Sequence, residues 1–200
     1  MEKPAYHHGN LKQVLLEEAL KFIETDGIKA LSLRKVAKQA GVSPGAPYHH
    51  FKNKDELIAG LAVRSLEKLD ATSEAAAQGQ ISPQEKLKAV GKAYILYAVE
   101  NPEQFRLVFS SEQSGSFLSQ PPNEAPLFRV LYKVIEELEA IGLVSNVQVA
   151  AITAWGLVHG VATLLIDGPL QPMSTDLEQV NALVEEVTSG LIYVQAAPKR

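Results

Sequence analysis

Residues 32–54 read SLRKVAKQAGVSPGAPYHHFKNK. Leu33, Val36, Ala37 and Ala40 fall at i, i+3, i+4 and i+7, one apolar face of a two-turn helix. Ser32 offers an N-cap hydroxyl before that helix, and Gly41 the left-handed residue after it. Val42 supplies a buried contact, Ser43 a second N-cap, and Pro44 the fixed φ of a first helical position. A short second helix is expected to end near the aromatic Phe51. Helix, glycine turn and short polar-faced helix make a helix-turn-helix plan, whose second helix lies in the major groove of DNA.

Outward from this stretch, residues 41–57 spell Gly41-Val42-Ser43-x-Gly45-x-x-Tyr48-x-His50-Phe51-x-x-Lys54-x-x-Leu57. The pattern resembles the signature of tetracycline-repressor (TetR) family transcription regulators, over roughly residues 8 to 60. The resemblance implies a bacterial, cytoplasmic, homodimeric all-α regulator of about nine helices. It implies a DNA-binding helix-turn-helix domain over residues 8–56 and a ligand-binding and dimerisation domain over 57–196. It also implies a sequence-specific repressor released from double-stranded operator DNA by a small, largely apolar effector. The alternative is a helical ligand-binding or interaction protein with weak or lost DNA affinity.

Charge is divided accordingly. The 200 residues carry a net −4, but residues 1–60 hold nine Lys/Arg against seven Asp/Glu, whereas residues 61–200 hold ten against sixteen. Phosphate neutralisation requires the positive balance in the first part. Four of the five histidines also lie there. No cysteine occurs, which excludes disulfides, thiolate metal sites and cysteine nucleophiles and fits a reducing compartment. The N-terminal MEKPAYHHGNLK has no apolar core, so no signal peptide is expected.

In chain order, Asn10 with Gln13 resembles a capping box for a first helix bearing Leu11, Leu15, Ala19 and Phe22/Ile23, ended by Asp26-Gly27. Asn53 with Glu56 opens a long helix toward Ala77. Ser82-Pro83-Gln84-Glu85 is a capping box with proline at the first helical position. Asn101-Pro102 starts another helix, and Ser110–Asn123 reads as a mobile loop. A helix follows from about Glu124 to Ile141. Ser145 with Gln148, and Thr175 with Glu178, are expected to open the last two. The former, nearly apolar over Val147–Ile166, is long enough to cross a membrane. Gln148 and His159 interrupt it and no Lys/Arg cluster flanks it, so a buried helix or oligomer interface is expected instead. The last two helices are the ones such a family uses to dimerise, and Gly156, Gly160 and Gly190 would permit close helix approach there.

Arg34 matches a base-contacting family position, and its guanidinium suits guanine O6/N7. Ser32 and Ser43 are candidate DNA contacts, and Lys35 and Lys38 candidate phosphate neighbours. Gly45 and Ala46 let backbone approach DNA, Ala46 beside a thymine methyl. Tyr48 and Lys54 match phosphate-holding positions. His49 faces DNA in the resemblance; His50 either binds phosphate or packs on Phe51. Pro47 departs from the family's leucine-like residue and removes a donor, so this helix is expected to be short or irregular. The arm Tyr6–Asn10 is expected to be flexible, and His7-His8 lacks the further ligands of a metal site.

In the C-terminal part, Trp155-Gly156-x-x-His159-Gly160 resembles the Trp/His-Gly signature of one TetR subgroup. Tyr94, Tyr97, Phe105, Phe109, Phe128, Trp155 and His159 either line a largely apolar pocket or fill the core. The dimer interface is expected at Ala151, Val158, Ala162, Val180, Leu183, Val187 and Leu191. No phosphate loop, nucleophile elbow or two-histidine metal motif appears, so neither an enzyme nor a cofactor or metal is expected.

Overall fold

The computed structural model describes residues 11–110 and 126–195, and among these it has eight α-helices, three 310 turns and no strand. The helices are α1 Leu11–Asp26, α2 Leu33–Gln39, α3 Lys54–Gln78, α4 Pro83–Glu100, α5 Pro102–Phe109, α6 Pro126–Ala140, α7 Val147–Ile166 and α8 Leu177–Gln195. The arm Tyr6–Asn10, the Asn10 cap, most of the Ser110–Asn123 stretch and the start expected at Glu124 lie outside the described residues. The chain divides into two compact units, Met1–Arg64 and Ser65–Arg200.

In the first unit, α1 buries Leu15, Ala19 and Ile23, and α2 buries Leu33, Val36 and Ala37. Ser32 Oγ accepts from Lys35 N at 3.3 Å, the cap expected of it. The α2 C-terminus closes as a Schellman motif. Val42 N donates to Ala37 O at 2.9 Å and Gly41 N to Lys38 O at 3.2 Å, with Gly41 at φ +68°. The segment expected to be the second helix is instead a 310 turn, Ala46–His49. Pro47 has no N–H to reach back four residues, and Ala46 N bonds only three residues back, to Ser43 O at 3.0 Å. Phe51, Leu57 and Leu61 are buried and complete the core of this unit.

In the second unit α4 is central and touches α5, α6, α7 and α8. It buries Leu87, Val90, Gly91, Tyr94, Ile95, Tyr97 and Ala98. Ser82 and Glu85 form the full capping box. The α4 glycine that close packing requires is Gly91: a Cβ there would lie 2.9 Å from Leu191 Cδ1 and 3.3 Å from Val158 Cγ1. By contrast, a Cβ on Gly156, Gly160 or Gly190 would meet nothing within 4 Å among the described residues. The caps of α7 and α8 fall one residue later than expected. Asn146 Oδ1 accepts from Val149 N at 3.0 Å, and Asp176 Oδ1 from Glu178 N and Gln179 N at 3.1 Å each. α7 is long and apolar enough to span a membrane, but one face, including Ala150, Ala154, Val158, Ala162 and Leu165, is buried against its neighbours.

Candidate functional site

Two surfaces need separate description. On the first unit, Arg34, Lys38 and Gln39 of α2 and Ser43, Gly45, Tyr48 and His49 beyond it are exposed, Tyr48 to 50%. Ala46 and His50 are half-buried, and Pro47 occupies the buried apolar position. The proline carbonyl accepts from both His50 N and Phe51 N at 2.9 Å, turning the chain into the core through Phe51.

Two expected phosphate contacts are engaged elsewhere. Lys54 Nζ donates to Ile28 O at 2.8 Å and Lys29 O at 3.2 Å; Lys35 Nζ donates to Ala30 O at 2.9 Å. Both ammonium groups thus cap the carbonyls of the 310 turn Ile28–Ala30, and Lys35 also lies 5.2 Å from the Phe22 ring centroid. The chain before α2 ends in carbonyls with no helix to continue into, and a positive head group satisfies them. Arg34, by contrast, has no hydrogen-bond partner among the described residues. Gln39 and Lys52 are also exposed.

On the second unit an aromatic cluster surrounds His159. Its ring centroid is 5.6 Å from Phe105, 4.6 Å from Phe109 and 5.1 Å from Trp155. Phe128 meets Trp155 edge-on at 5.0 Å, and Tyr94 meets Phe105 edge-on at 5.4 Å. Trp155 Nε1 donates to Tyr94 Oη at 3.2 Å, and Tyr94 Oη lies 2.8 Å from His159 Nδ1. Burial pushes the Tyr94 phenol up and the half-buried His159 imidazole down, favouring the neutral form of each. Spacing in sequence puts Trp155 and His159 one turn apart, but gives no sign of Tyr94, which reaches them only through α4–α7 packing.

Tyr97 does not join this cluster. Its hydroxyl donates to Ser65 O at 3.1 Å and lies 3.3 Å from Gln104 Oε1, so it fastens α4 to α3 and α5. Trp155 and Tyr94 line an apolar recess of about 30 Å³, room for roughly one water. A second recess of about 90 Å³ is lined by Phe128, Tyr132, Ala151, Ile152 and Trp155. Both are small beside usual ligand sites, so an occupant must part the surrounding rings.

Of the expected interface residues, Ala151, Val158, Ala162, Val180 and Leu191 are buried in the chain's own core, whereas Leu183 and Val187 are half-buried and pack against it. Alternate apolar residues on a helix facing two ways cannot be sorted by hydrophobicity alone. The apolar residues that α7 leaves exposed are Val149, Ile152, Leu157 and Leu164.

Against known families, residues 15–61 match the model of bacterial regulatory proteins of the tetR family. Residues 87–188 match the tetracyclin repressor-like C-terminal domain. The chain belongs to the TetR family. Among curated TetR relatives it is similar to the HTH-type transcriptional regulator BetI of Rhizobium meliloti, 30% identical over 79 residues. That match covers 40% of this chain and 39% of the relative, so the chain spans about two fifths of the length of the curated relative it matches. A solved protein of unknown function from Rhodococcus sp. RHA1 is 26% identical with TM-score 0.75, covering 98% of this chain and 100% of that one. A TetR/AcrR-type regulator from Thermobifida fusca shares the fold at TM-score 0.70 and 20% identity, over 92% of this chain and 97% of that one.

Proposed function

We propose that this TetR-family chain is a cytoplasmic, sequence-specific DNA-binding regulator, acting as a repressor that a small, largely apolar effector releases from double-stranded operator DNA. The assignment gives residues 8–56 to DNA binding and 57–196 to effector binding and dimerisation. It assigns no catalysis. The observation carrying the DNA-binding reading is the exposed Arg34 guanidinium, which has no described partner, beside an exposed Ser43–His49 turn. In this reading Arg34 reads a base edge, Ser43, Tyr48 and His49 contact phosphate or base, and Gly45 and Ala46 admit the backbone. The name of the BetI relative, a transcriptional regulator, supports it.

The effector is assigned to the Tyr94, Phe105, Phe109, Phe128, Trp155 and His159 cluster, and the chain to the Trp/His-Gly subgroup. Helix α3 supplies residues to both units and is the covalent route by which effector binding reaches the DNA-binding unit. A coupling of about 1–3 kcal/mol suffices to change operator affinity up to a hundredfold or so. Two copies pair through the exposed apolar residues of α7, over ground left open at Gly156 and Gly160. Gel shifts with duplexes selected from a random library, titrated with salt, test the reading. One sequence should bind far above random DNA, with affinity falling steeply as salt rises.

The 310 turn and the engaged Lys35 and Lys54 favour a second reading, in which DNA affinity is weak or lost. Binding of selected and random duplexes with equal, low affinity would establish it.

A further inference from the structure

Two recesses of the second unit share a wall. The apolar recess of about 30 Å³ at Trp155 and Tyr94 is lined on its α6 side by Val130 and Leu131. A third recess, of about 130 Å³, lies among α3, α4 and α6, and Val130 lines it too. Sequence neighbours divide between them: Leu87 lines the first and Lys86 the third, Ser73 the first and Glu74 the third. One buried valine side chain thus stands where the two spaces meet. The first has no Asp, Glu, Lys or Arg in its wall, whereas Glu74, Gln78, Lys86, Arg129, Lys133 and Glu137 line the third. Helical spacing gathers them, with Arg129, Lys133 and Glu137 at i, i+4 and i+8 on α6 and Glu74 and Gln78 at i and i+4 on α3. Both carboxylates of this wall are already matched. Glu137 accepts from Lys86 at 2.7 Å, and Glu74 at 3.2 Å and Asp70 at 2.6 Å share Arg129 Nη2. Lys133 is exposed with no ionic partner among the described residues, and Arg129 Nε and Nη1 have no described acceptor. Lys133 and the rest of the Arg129 fork are therefore positive donors with nothing to hold.

Resting on the effector reading above, we propose that the effector is an amphipathic carboxylate whose head binds Arg129 and Lys133 in the charged recess and whose apolar tail passes Val130 into the recess at Trp155. A carboxylate accepts from a planar guanidinium fork and from an ammonium without displacing either existing pair. An alkylammonium would find the two wall carboxylates holding Lys86 and Arg129, and would sit beside the unpaired Lys133. An alcohol would gain the tail contacts but no charge-assisted hydrogen bond. Each recess alone is small, and displacing one valine side chain joins them, a cost that burying the tail's methylenes offsets. The head group then rests on Glu74–Gln78, the last turn of α3, the helix that runs back to Lys54.

Trp155 is the single tryptophan and lines the tail's recess, so its emission reports directly. The intact protein is titrated with octanoate, 1-octanol and octyltrimethylammonium at fixed ionic strength. Octanoate should bind at least tenfold more tightly than either of the others. Lys133→Gln, at an exposed position, should weaken octanoate about fivefold or more and leave 1-octanol unchanged. Bromine quenches an indole on contact and gives the orientation without any mutant. Bound 8-bromooctanoate should quench Trp155 strongly, and 2-bromooctanoate, brominated beside the head group, only weakly. Equal quenching by the two would overturn the proposal, as would 1-octanol or octyltrimethylammonium binding as tightly as octanoate. An unchanged octanoate affinity in Lys133→Gln, or silence of all three probes, would do the same. The effector reading is judged separately, by gel shift. An alcohol or ammonium that binds and lowers affinity for selected DNA leaves it standing while the anion class falls. Octanoate that binds as described without lowering that affinity sinks the effector reading and leaves the site.

Discussion

Lys54 shows how a residue's role depends on what its head group already holds. Its ammonium bonds Ile28 O and Lys29 O, tying the start of α3 to the turn before α2. Lys54→Met should therefore destabilise the protein by about 1.5–3 kcal/mol, the range for hydrogen bonds to a charged group. The salt slope of DNA binding should barely change; a phosphate contact would lower it by about one unit. Arg34→Ala should leave the melting temperature alone, cost roughly 1–3 kcal/mol of specific binding and relax preference at one position. Thermal denaturation with salt-titrated gel shifts separates the two.

His159 carries a pH prediction. Burial holds its folded-state pKa below its unfolded value, so between the two the unfolded chain binds more protons. Its contribution is full above the unfolded pKa, near 6.5, and declines as pH falls through that value toward the folded pKa. The difference in melting temperature between wild type and His159→Gln should thus narrow as pH drops from 8 to 5. A constant difference would show that the ring does not titrate differently in the folded state.

At the scale of elements, the positions of helices were legible, and so was the irregularity of the segment holding Pro47. Ser32, Asn53 and Ser82 act as caps because a short polar side chain before a periodic apolar run has few other places to bond. The α7 and α8 caps slipped by one residue because Ser145-Asn146 and Thr175-Asp176 each offer two candidates, and the amide or carboxylate reached the free N–H groups. Pro47 gave warning of an irregular turn, but whether the proline breaks or tightens it depends on Phe51 being anchored in the core. Restoring the donor should matter. Pro47→Leu should convert Ala46–His49 toward α-helical i→i−4 bonding, visible as slowed amide exchange at residue 47, and should change the DNA sequence selected. Close packing was the least legible. Nothing in its sequence neighbourhood marks Gly91, yet Gly91→Ala drives a Cβ to 2.9 Å from the buried Leu191. It should cost about 1–3 kcal/mol, the usual range for overpacking a core.

For the whole molecule, the sequence distinguishes two parts by charge and motif, because phosphate binding and helix-turn-helix geometry leave marks on composition and spacing. The aromatic site is only half legible, since Tyr94 joins Trp155 and His159 through tertiary packing alone. The expected interface residues divide for a related reason. On a helix apolar all round, burial within one chain and burial between two look the same until the chain's own core is known. That core takes Ala151, Val158 and Ala162 and leaves Val149, Ile152, Leu157 and Leu164 in water. The two sets predict opposite behaviour on mutation. Val158→Glu should unfold the protein, because an unpaired charge in the core has no compensation. Ile152→Glu with Leu164→Glu should leave helix content and melting behaviour of the monomer intact while shifting sedimentation from dimer to monomer. The same double variant should bind selected DNA far more weakly than wild type, since a two-fold site about 34–36 Å or a near multiple between half-sites needs two recognition elements held together. A double variant that sediments as a fully dimeric, folded protein would place the interface on another face and leave the exposed side of α7 without an assigned partner.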